Sequence, residues 1–511
     1  MTRSINDIQA VHPIIGMEIH VQLATQTKLL SRAPSTARPG ADEADPNTMT
    51  DRVVLALPGA LPVMNRRAVE LSMLVGMALG CRLNQRTTWD RKSYFYPDLP
   101  KAYQTSQFGL PVCAEGVVEV PTMDESGFID FAAPTNRVRL MRAHLEEDAG
   151  KLVHDDGDHS LVDLNRAGTP LLEIVSEPDM HSPEEAVAYG RYIRMVCKAI
   201  GATGGVMMRG HMRFEPNINC KLTLSDGSEV FTPVAEVKNL NSFRSLAGAV
   251  AYEIAEQPRR WVETGETHGP GMKATYGFDD EKQITVLQRS KEDALDYRFF
   301  PEPDLAPVVI DDKWMSDVRS RLPELPMAMM RRYIDKQGLS ERDAQQIAES
   351  KSASGLFDGA RTLAAESGVP ESDADRQASI LMIRSVAKAA NDRGVPIGKL
   401  NLDSKRLAEL VVMRHEGTVG AQSADQIVSM MCFCQDTPGT IAEREGLVMI
   451  SDTGQLEAWC DEVIAEQQGM VEQIRGGKAS AIGRLIGEVK KKSGGSADAR
   501  LVKEILTKKI G

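Results

Sequence analysis

The 511-residue sequence has few aromatic residues, few cysteines and no long apolar run. The seven cysteines are scattered and odd in number, which favours reduced thiols over a disulfide framework. The apolar stretch 53–63 is interrupted by Pro58 and Pro62, so it is too short and too broken to span a bilayer. The first ten residues lack the apolar core of a secretory signal. These absences predict a cytoplasmic protein with no membrane role.

The sequence also lacks the GxxxxGK[ST] phosphate-binding loop, so any use of ATP is not of the P-loop kind. Its composition is that of an ordinary globular protein, with 42% apolar and 26% charged residues. A chain of this length predicts about three domains at roughly 150 residues each.

The net charge of −12 is unevenly distributed. Residues 470–511 contain ten Lys and Arg against four Asp and Glu, a balance of +6, which leaves −18 on the remaining chain. A basic end on an acidic body is compatible with an ordinary solvated helical surface and with a nucleic-acid contact.

The pattern of apolar residues predicts mainly β-strands in the first part of the chain and helices in the last part. Residues 14–23 alternate strictly, which predicts a strand with Glu18 and His20 on its polar face. Helices are predicted over 66–79 and from Ser182-Pro183 to about Gly201. Strand-like stretches dominate 120–300, a Pro-rich boundary follows at 300–307, and 325–511 is predicted to be helical, with a softer boundary at 394–402. The predicted fold class is therefore α+β.

Four acidic elements are candidates for cation binding. They are the Glu18/His20 pair, the run Glu146-Glu147-Asp148, Glu173 within an apolar run, and Glu215. Adjacent carboxylates either lie in water or surround a hard cation such as magnesium, because burial without a cation is costly. For Glu18 and His20, an ordinary half-exposed strand remains the alternative.

A loop rich in aromatic residues and cations spans residues 92–109. Tyr94, Tyr96 and Lys92 are among its side chains. Aromatic faces beside cations suit an unstacked, single-stranded nucleotide end, although a packed loop cover uses the same residues.

Seven ordered motifs closely resemble the B subunits of glutamyl/aspartyl-tRNA amidotransferases. They lie at residues 16–23, 57–65, 94–98, 144–151, 167–179, 236–243 and 296–304. The resemblance covers nearly the whole chain. It implies a mostly antiparallel-sheet catalytic cradle domain (1–300), an all-α helical domain (301–402) and a YqeY-like tRNA-binding tail (403–511).

The activity implied by the resemblance is a carbon–nitrogen ligation. The B subunits of this family use ATP to phosphorylate the side-chain carboxylate of Glu-tRNA(Gln) and/or Asp-tRNA(Asn). Ammonia from glutamine, hydrolysed by the A subunit, then displaces the phosphate. The partners implied are the A and C subunits of a heterotrimer and the misacylated tRNA, and the basic tail would hold the tRNA by its phosphates.

The resemblance also implies the site residues. Metal ligands fall on Glu18, His20, Glu147, Glu173 and Glu215. Mg²⁺ is the expected ion, and the histidine leaves Mn²⁺ open. Glu147 and Lys92 are the candidate catalytic residues, and the candidate substrate- and nucleotide-binding residues are Tyr94, Tyr96, Lys238 and Asn239.

Two segments depart from the pattern of the family. Many relatives carry a four-cysteine zinc knuckle, whose positions here hold Ser31, Ala33, Asp51 and Val54, so no zinc is expected. The segment around Arg209 lacks two acidic residues that are usual in relatives, which makes Glu215 the weakest assignment. This change keeps open a non-catalytic tRNA-binding scaffold as the alternative function. The archaeal E-type relative is a weaker possibility, because its large inserted domain has no counterpart here.

Overall fold

The computed structural model describes residues 3–38, 41, 44–154, 159–238, 240–290, 297–449, 453–475, 482–493 and 497–510. They divide into two compact units, Met1–Pro326 and Met327–Gly511. The three-domain division at 300 and 402 stays a prediction.

The first unit contains the strands. They are β1 (Ile8–Gln22), β2 (Arg86–Thr87), β3 (Asp90–Ser93), β4 (Tyr103–Ser106), β5 (Gly116–Val120), β6 (Asn136–Glu147), β7 (Lys151–His154), β8 (Ser160–Asp163), β9 (Pro170–Ser176), β10 (Met212–Leu224), β11 (Glu229–Phe231), β12 (Ala235–Lys238), β13 (Ala274–Asp279), β14 (Ile284–Ser290), β15 (Phe300–Pro301) and β16 (Val308–Val309).

Nine strands form one large sheet, in the order β14-β13-β12-β10-β1-β9-β6-β5, with β11 paired to β10. Only the β12–β13 pair within it is parallel among the described residues. Three small sheets, β15-β3-β4, β16-β2 and β7-β8, complete the strand pairing of the unit.

The central strand β1 has one apolar and one polar face, as its alternation predicts. Ile15, Met17, Ile19 and Val21 are almost fully buried. Two helices cover the sheet, α2 (Pro183–Ile200) and α3 (Phe243–Thr264), and both contact β1 and β10. The polar residues of β1 are thereby left to the opposite face.

The helix boundaries predicted in this unit are confirmed to within a residue. Helix α1 (Arg66–Ala78) begins after Asn65, whose side chain accepts hydrogen bonds from the next turn. Helix α2 begins after Ser182, has Pro183 in its first turn, and ends at Gly201 with φ of 75°.

The remaining helices lie from residue 312 onward. They are α4 (Asp312–Arg319), α5 (Pro326–Asp335), α6 (Glu341–Ala348), α7 (Lys351–Glu366), α8 (Glu371–Ile380), α9 (Ala387–Asp392), α10 (Ser404–Glu416), α11 (Ala421–Met431), α12 (Pro438–Arg444), α13 (Thr453–Glu466), α14 (Gln468–Arg475), α15 (Ile482–Lys492) and α16 (Ala499–Ile510). A π-helical stretch, Leu381–Val386, joins α8 to α9.

Within the second unit, α13 to α16 share an apolar core. Leu485 and Val489 of α15 are fully buried in it, beside Leu456 of α13 and Leu506 of α16. The apolar stripe predicted for the terminal helices is therefore an internal face. A sheet-rich first unit and a helical second unit confirm the α+β class. No helix in the described ranges combines the length and the apolar character that a membrane span requires.

The segment that lacks the four cysteines packs around small apolar side chains. Ala33, Val54 and Ala167 form one buried cluster, against which Leu164 packs. The Asp51 carboxylate accepts hydrogen bonds from the Val53 and Val54 amides at 3.0 Å. Side-chain packing and a local turn hold this segment.

Candidate active site

The polar face of the large sheet brings acidic residues and histidines from neighbouring strands into register. His20 of β1 lies opposite Glu173 of β9, and Glu173 lies opposite His144 of β6. On the other side of β1, Glu18 lies opposite Glu215 of β10. Directly opposed side chains in antiparallel strands are about 5 Å apart, so the pairing itself concentrates these groups.

One group of potential metal ligands comprises His20, Glu146 and Glu173. His20 Nε2 lies 3.5 Å from Glu173 Oε2 and 3.9 Å from Glu146 Oε1. His144 Nε2 extends the group, at 3.5 Å from Glu173 Oε2 and 3.8 Å from Glu146 Oε2. One atom each of His20, Glu146 and Glu173 is therefore available to a shared ion, and His144 lies beside them.

A second group comprises Glu18, Glu215 and Glu236. Asn217 joins it, since its Nδ2 donates a hydrogen bond to Glu18 Oε1 at 2.9 Å. His20 Nδ1 lies 3.6 Å from Glu215 Oε1, so the two groups adjoin through one imidazole ring. The face thus presents two adjacent candidate cation sites.

Lysines surround the carboxylates. Lys238 Nζ lies 3.5 Å from Glu215 Oε2 and 3.7 Å from Glu236 Oε1. Lys273 Nζ lies 3.3 Å from Glu236 Oε1 and 3.9 Å from Glu18 Oε1. These ammonium groups offset part of the negative charge and can also contact an anionic substrate.

The charges shift the pKa values in opposite directions. Burial disfavours the imidazolium of His20, but the Glu215 and Glu173 carboxylates outweigh burial and raise the pKa of His20 to about 9. Burial and the nearby Glu173 raise the pKa of Glu18. Burial also acts on Glu173, but His144, His20 and Lys92 prevail and hold its pKa well below the usual range.

Two ring nitrogens in the first group are buried without a hydrogen-bond partner among the described residues. They are Nδ1 of His20 and Nδ1 of His144. Buried polar atoms are normally paired, so these two need an explanation. His20 Nδ1 faces Glu215 Oε1 at 3.6 Å, whereas His144 faces the carboxylates with Nε2. A cation bound by His20 would explain its nitrogen, because it would displace the imidazole proton and accept the lone pair.

Glu147, the residue after Glu146, lies outside both groups of potential metal ligands. It directly follows Glu146 in strand β6 and therefore points to the opposite face. Its Oε2 is ion-paired with Lys101 Nζ and accepts a hydrogen bond from the Thr105 amide at 3.3 Å. The structure thus brings together four of the five predicted ligands and places Glu147 on a different charged contact.

The other predicted site residues divide between the face and the loop. Burial lowers the pKa of Lys92, but the nearby Glu146 and Glu173 carboxylates outweigh burial and raise it. Lys92 therefore stays charged beside the first group. Tyr94 OH donates to Gln104 Oε1 at 3.5 Å. Tyr96 is 59% exposed in the loop. Asn239 lies outside the described residues, next to Lys238.

A cavity of about 600 Å³ adjoins one end of the face. Gln22, which follows His20 by two residues on β1, lines it together with Arg166, Arg209 and Arg213. The altered segment therefore places an arginine at this cavity, while Glu215 remains within the second group.

Four members of the face were not among the predicted metal ligands: His144, Glu146, which was named only within the acidic run 146–148, Glu236 and Lys273. A signal for two of them was present, because His144 and Glu146 repeat the two-residue spacing of Glu18 and His20. That spacing places both side chains on one face of a strand. Glu236 and Lys273 had no comparable signal, since strand order alone brings them to β10.

Two family models match stretches of this chain. Residues 13–316 match the family model described as the GatB/GatE catalytic domain, and residues 365–510 match the GatB domain model.

Curated relatives match along almost their whole length. The chain is 40% identical over 501 residues to the aspartyl/glutamyl-tRNA(Asn/Gln) amidotransferase B subunit of Geotalea uraniireducens, covering 97% of this chain and 98% of that protein. The protein of the same name from Synechococcus elongatus is 39% identical over 503 residues, 97% of either chain. That of Burkholderia ambifaria is 40% identical over 505 residues, 98% of this chain and 99% of its own. This chain belongs to the family of aspartyl/glutamyl-tRNA(Asn/Gln) amidotransferase B subunits.

Proposed function

We propose that this protein is the kinase and amide-forming component of a tRNA-dependent amidotransferase, a ligase that acts in protein biosynthesis. It phosphorylates the side-chain carboxylate of Glu-tRNA(Gln) and/or Asp-tRNA(Asn) with ATP. It then forms the amide with ammonia from glutamine hydrolysed by the A subunit, in a complex with the A and C subunits. The observation that carries this proposal is that two clusters of carboxylates, two imidazoles and three lysines converge on one face of the large sheet.

The residues present fit a divalent ion. The ligand atoms of each group lie within 4.8 Å of one another, and two imidazole nitrogens lack hydrogen-bond partners within the described ranges. Oxygen-rich sites suit Mg²⁺, and the imidazoles keep Mn²⁺ as the alternative. His20, Glu146 and Glu173 would hold one ion, and Glu18, Glu215 and Glu236 a second. A bound divalent ion supplies neutralisation of the phosphate charge during transfer.

The residues of the sheet face can bind and orient the reactants in both steps of the reaction. In the first step, an oxygen of the substrate carboxylate bonds to the γ-phosphorus of ATP, and ADP leaves. In the second, ammonia bonds to the carbonyl carbon, and phosphate leaves with the electrons of the broken C–O bond and takes up the proton that the nitrogen loses. Lys92 and Lys238 remain cationic beside the carboxylates and can orient the anionic groups through both steps.

The cavity beside Gln22 supports a nucleotide site. Its volume of about 600 Å³ is in the range of small-molecule pockets, and Arg166 and Arg209 bring positive charge. We assign it to ATP, since its position next to His20 would bring a γ-phosphate to the carboxylate face.

A pair of variants tests the proposal. In the complex reassembled with the A and C subunits, Glu173→Gln is expected to lower the kcat of ATP-dependent amidation on the order of 100-fold or more. The matched control is Glu119→Gln on β5, an exposed glutamate that lies opposite Arg137, nine residues before Glu146 on β6, and it should leave kcat unchanged. Full activity of Glu173→Gln would refute the assignment of the face as the reaction site.

The alternative function is a non-catalytic tRNA-binding scaffold, which the altered Arg209 segment favours. Hydrolysis of ATP that depends on misacylated tRNA discriminates the two. A scaffold would bind tRNA without such hydrolysis, whereas the proposed enzyme would form ADP and, without glutamine, accumulate no amide.

A further inference from the structure

The two groups of potential metal ligands differ in the cations that accompany them. Among the basic side chains that the structure describes, only histidine nitrogens lie within ion-pairing distance of Glu146 and Glu173 in the first group. In the second group each of the three glutamates is ion-paired with a lysine, either Lys238 or Lys273. The second group therefore already has two positive charges against its three negative ones.

The Lys273 ammonium bridges two of these carboxylates. Its Nζ lies 3.3 Å from Glu236 Oε1 and 3.9 Å from Glu18 Oε1. The same oxygen of Glu236 also faces Lys238 Nζ at 3.7 Å. The same oxygen of Glu18 accepts the hydrogen bond from Asn217. One oxygen of each carboxylate is thus already contacted by two protein groups.

The register of strands β12 and β13 explains why Lys273 reaches the second group. Thr275 of β13 lies opposite Glu236 of β12, and Thr275 Oγ1 donates a hydrogen bond to Glu236 Oε2 at 3.1 Å. Lys273 precedes Thr275 by two residues, so its side chain points to the same face of the sheet. Lys273 lies outside the seven motifs that resemble the family, whereas Lys238 lies within one of them. The motifs therefore assign no role to Lys273.

A divalent ion and the Lys273 ammonium would need the same space. Mg²⁺ binds carboxylate oxygens at about 2.1 Å, so an ion held by Glu18 and Glu236 would lie between their carboxylates, where Lys273 Nζ now lies. Two cations at such short range repel each other strongly. The Glu236 side chain is only 10% exposed, whereas that of Lys273 is 41% exposed and has a flexible four-carbon stem. The ammonium is therefore the group that can move.

We propose that Lys273 serves as a built-in cation of the second group and competes there with a divalent ion. The protein then binds one ion tightly in the first group, and it binds a second ion only when the Lys273 ammonium withdraws from Glu18 and Glu236. This inference rests on the proposed function, because it assumes the divalent ions assigned there. It adds the residue that sets the affinity for the second ion.

Binding of Mn²⁺ to the full-length chain, after removal of metal with EDTA and dialysis, tests this proposal without tRNA, ATP or partner subunits. The EPR signal of free Mn²⁺ gives the number of bound ions and their dissociation constants. The wild type is expected to bind the second ion more weakly than the first. Lys273→Gln should tighten binding of the second ion about tenfold or more and leave the first unchanged, because it removes the competing ammonium.

Three further variants locate the effect. Lys273→Arg keeps the positive charge and should keep the second ion weakly bound. Lys282→Gln is the matched control, since Lys282 is 72% exposed and is ion-paired with Asp279 at 3.2 Å, and it should change neither constant. Glu236→Gln, introduced into the Lys273→Gln protein, should abolish the gain, because it removes a ligand of the second group.

The opposite results would overturn the proposal. They are unchanged Mn²⁺ binding in Lys273→Gln, an equal gain in Lys282→Gln or Lys273→Arg, and a gain that persists after Glu236→Gln. Failure of the proposed function would give a different result. Lys273→Gln would still gain its ion, but the wild-type chain reassembled with the A and C subunits would form no ADP in the presence of misacylated tRNA.

Discussion

Glu146 and Glu147 are identical side chains in adjacent positions, yet the pleat of strand β6 gives them different environments. Glu146 belongs to a ligand group with His20, and Glu147 pairs with Lys101. At the scale of single residues, this geometry makes the two glutamates a natural matched pair for experiment.

We expect Glu146→Gln to raise the Mg²⁺ concentration required for half-maximal amidation about tenfold or more, because it removes an anionic ligand. Glu147→Gln should leave the Mg²⁺ requirement unchanged, whatever its effect on kcat. Titration of activity with Mg²⁺ measures both. An equal shift for Glu147→Gln would restore that residue to the ligand set.

The protonation of His20 makes stability depend on pH. Its pKa is raised to about 9, above the value of about 6.5 for an unfolded chain, so its stabilising contribution is complete below pH 6.5. That contribution, on the order of 3 kcal/mol, is lost as the pH rises through 9.

Urea unfolding of the full chain in EDTA, followed by tryptophan fluorescence, measures this effect. Between pH 6.5 and 9.5 the wild type should lose more free energy of unfolding than His20→Gln. The difference between the two proteins removes the contribution of other titrating groups. Parallel pH profiles for both would contradict the assigned pKa.

At the scale of elements, the segment between β1 and α1 shows how packing supports a fold without a metal. Val54, Ala33 and Ala167 form its small buried cluster. The side chains are short, so the stabilisation by each is modest and depends on close contact.

We expect Val54→Ala to lower the free energy of unfolding by about 1–2 kcal/mol, because it removes two buried methyl groups. Val63→Ala in the same segment is the control, since Val63 is 74% exposed and surface changes usually stay within about 0.5 kcal/mol. Urea denaturation compares the two. Equal effects would mean that the cluster contributes no stability.

At the scale of the whole molecule, charge is segregated along the chain, with a balance of +6 over residues 470–511. The lysines there are not equivalent. Lys492 is ion-paired with Glu462 and Glu466 at 2.6 and 2.7 Å, whereas Lys490 is exposed and lines a cavity next to the first residues of helix α11. Only the second type has its charge fully available to a polyanion.

Lys490→Gln is therefore expected to weaken tRNA binding and to reduce the slope of log affinity against log salt by about 0.9. Lys492→Gln should change the slope less, because its charge is already compensated by two glutamates. Binding of the full-length protein to tRNA at several salt concentrations measures both slopes. Identical slopes for wild type and Lys490→Gln would mean that this surface does not contact phosphates.

Local patterns anticipated much of the first unit. Strict alternation predicted β1 with Glu18 and His20 outward, and cap residues predicted the ends of α1 and α2. Motif similarity predicted Glu173 and Glu215, which the fold brings to the same face. Which of Glu146 and Glu147 faces the acidic groups was not predicted, because alternation shows that neighbouring side chains point to opposite faces but not which of them points inward.

The sequence by itself determined the periodicities, the helix ends and the family to which the chain belongs, because these depend on the order of residues over short stretches or on motifs matched directly. Tertiary structure alone decided that Glu236 and Lys273 lie at the acidic face and that Glu147 points to the opposite face. It also decided that Tyr297 contacts Tyr94, in a loop about 200 residues earlier in the chain. The reason is that strand order and register, set by burial over the whole sheet, determine which distant side chains meet.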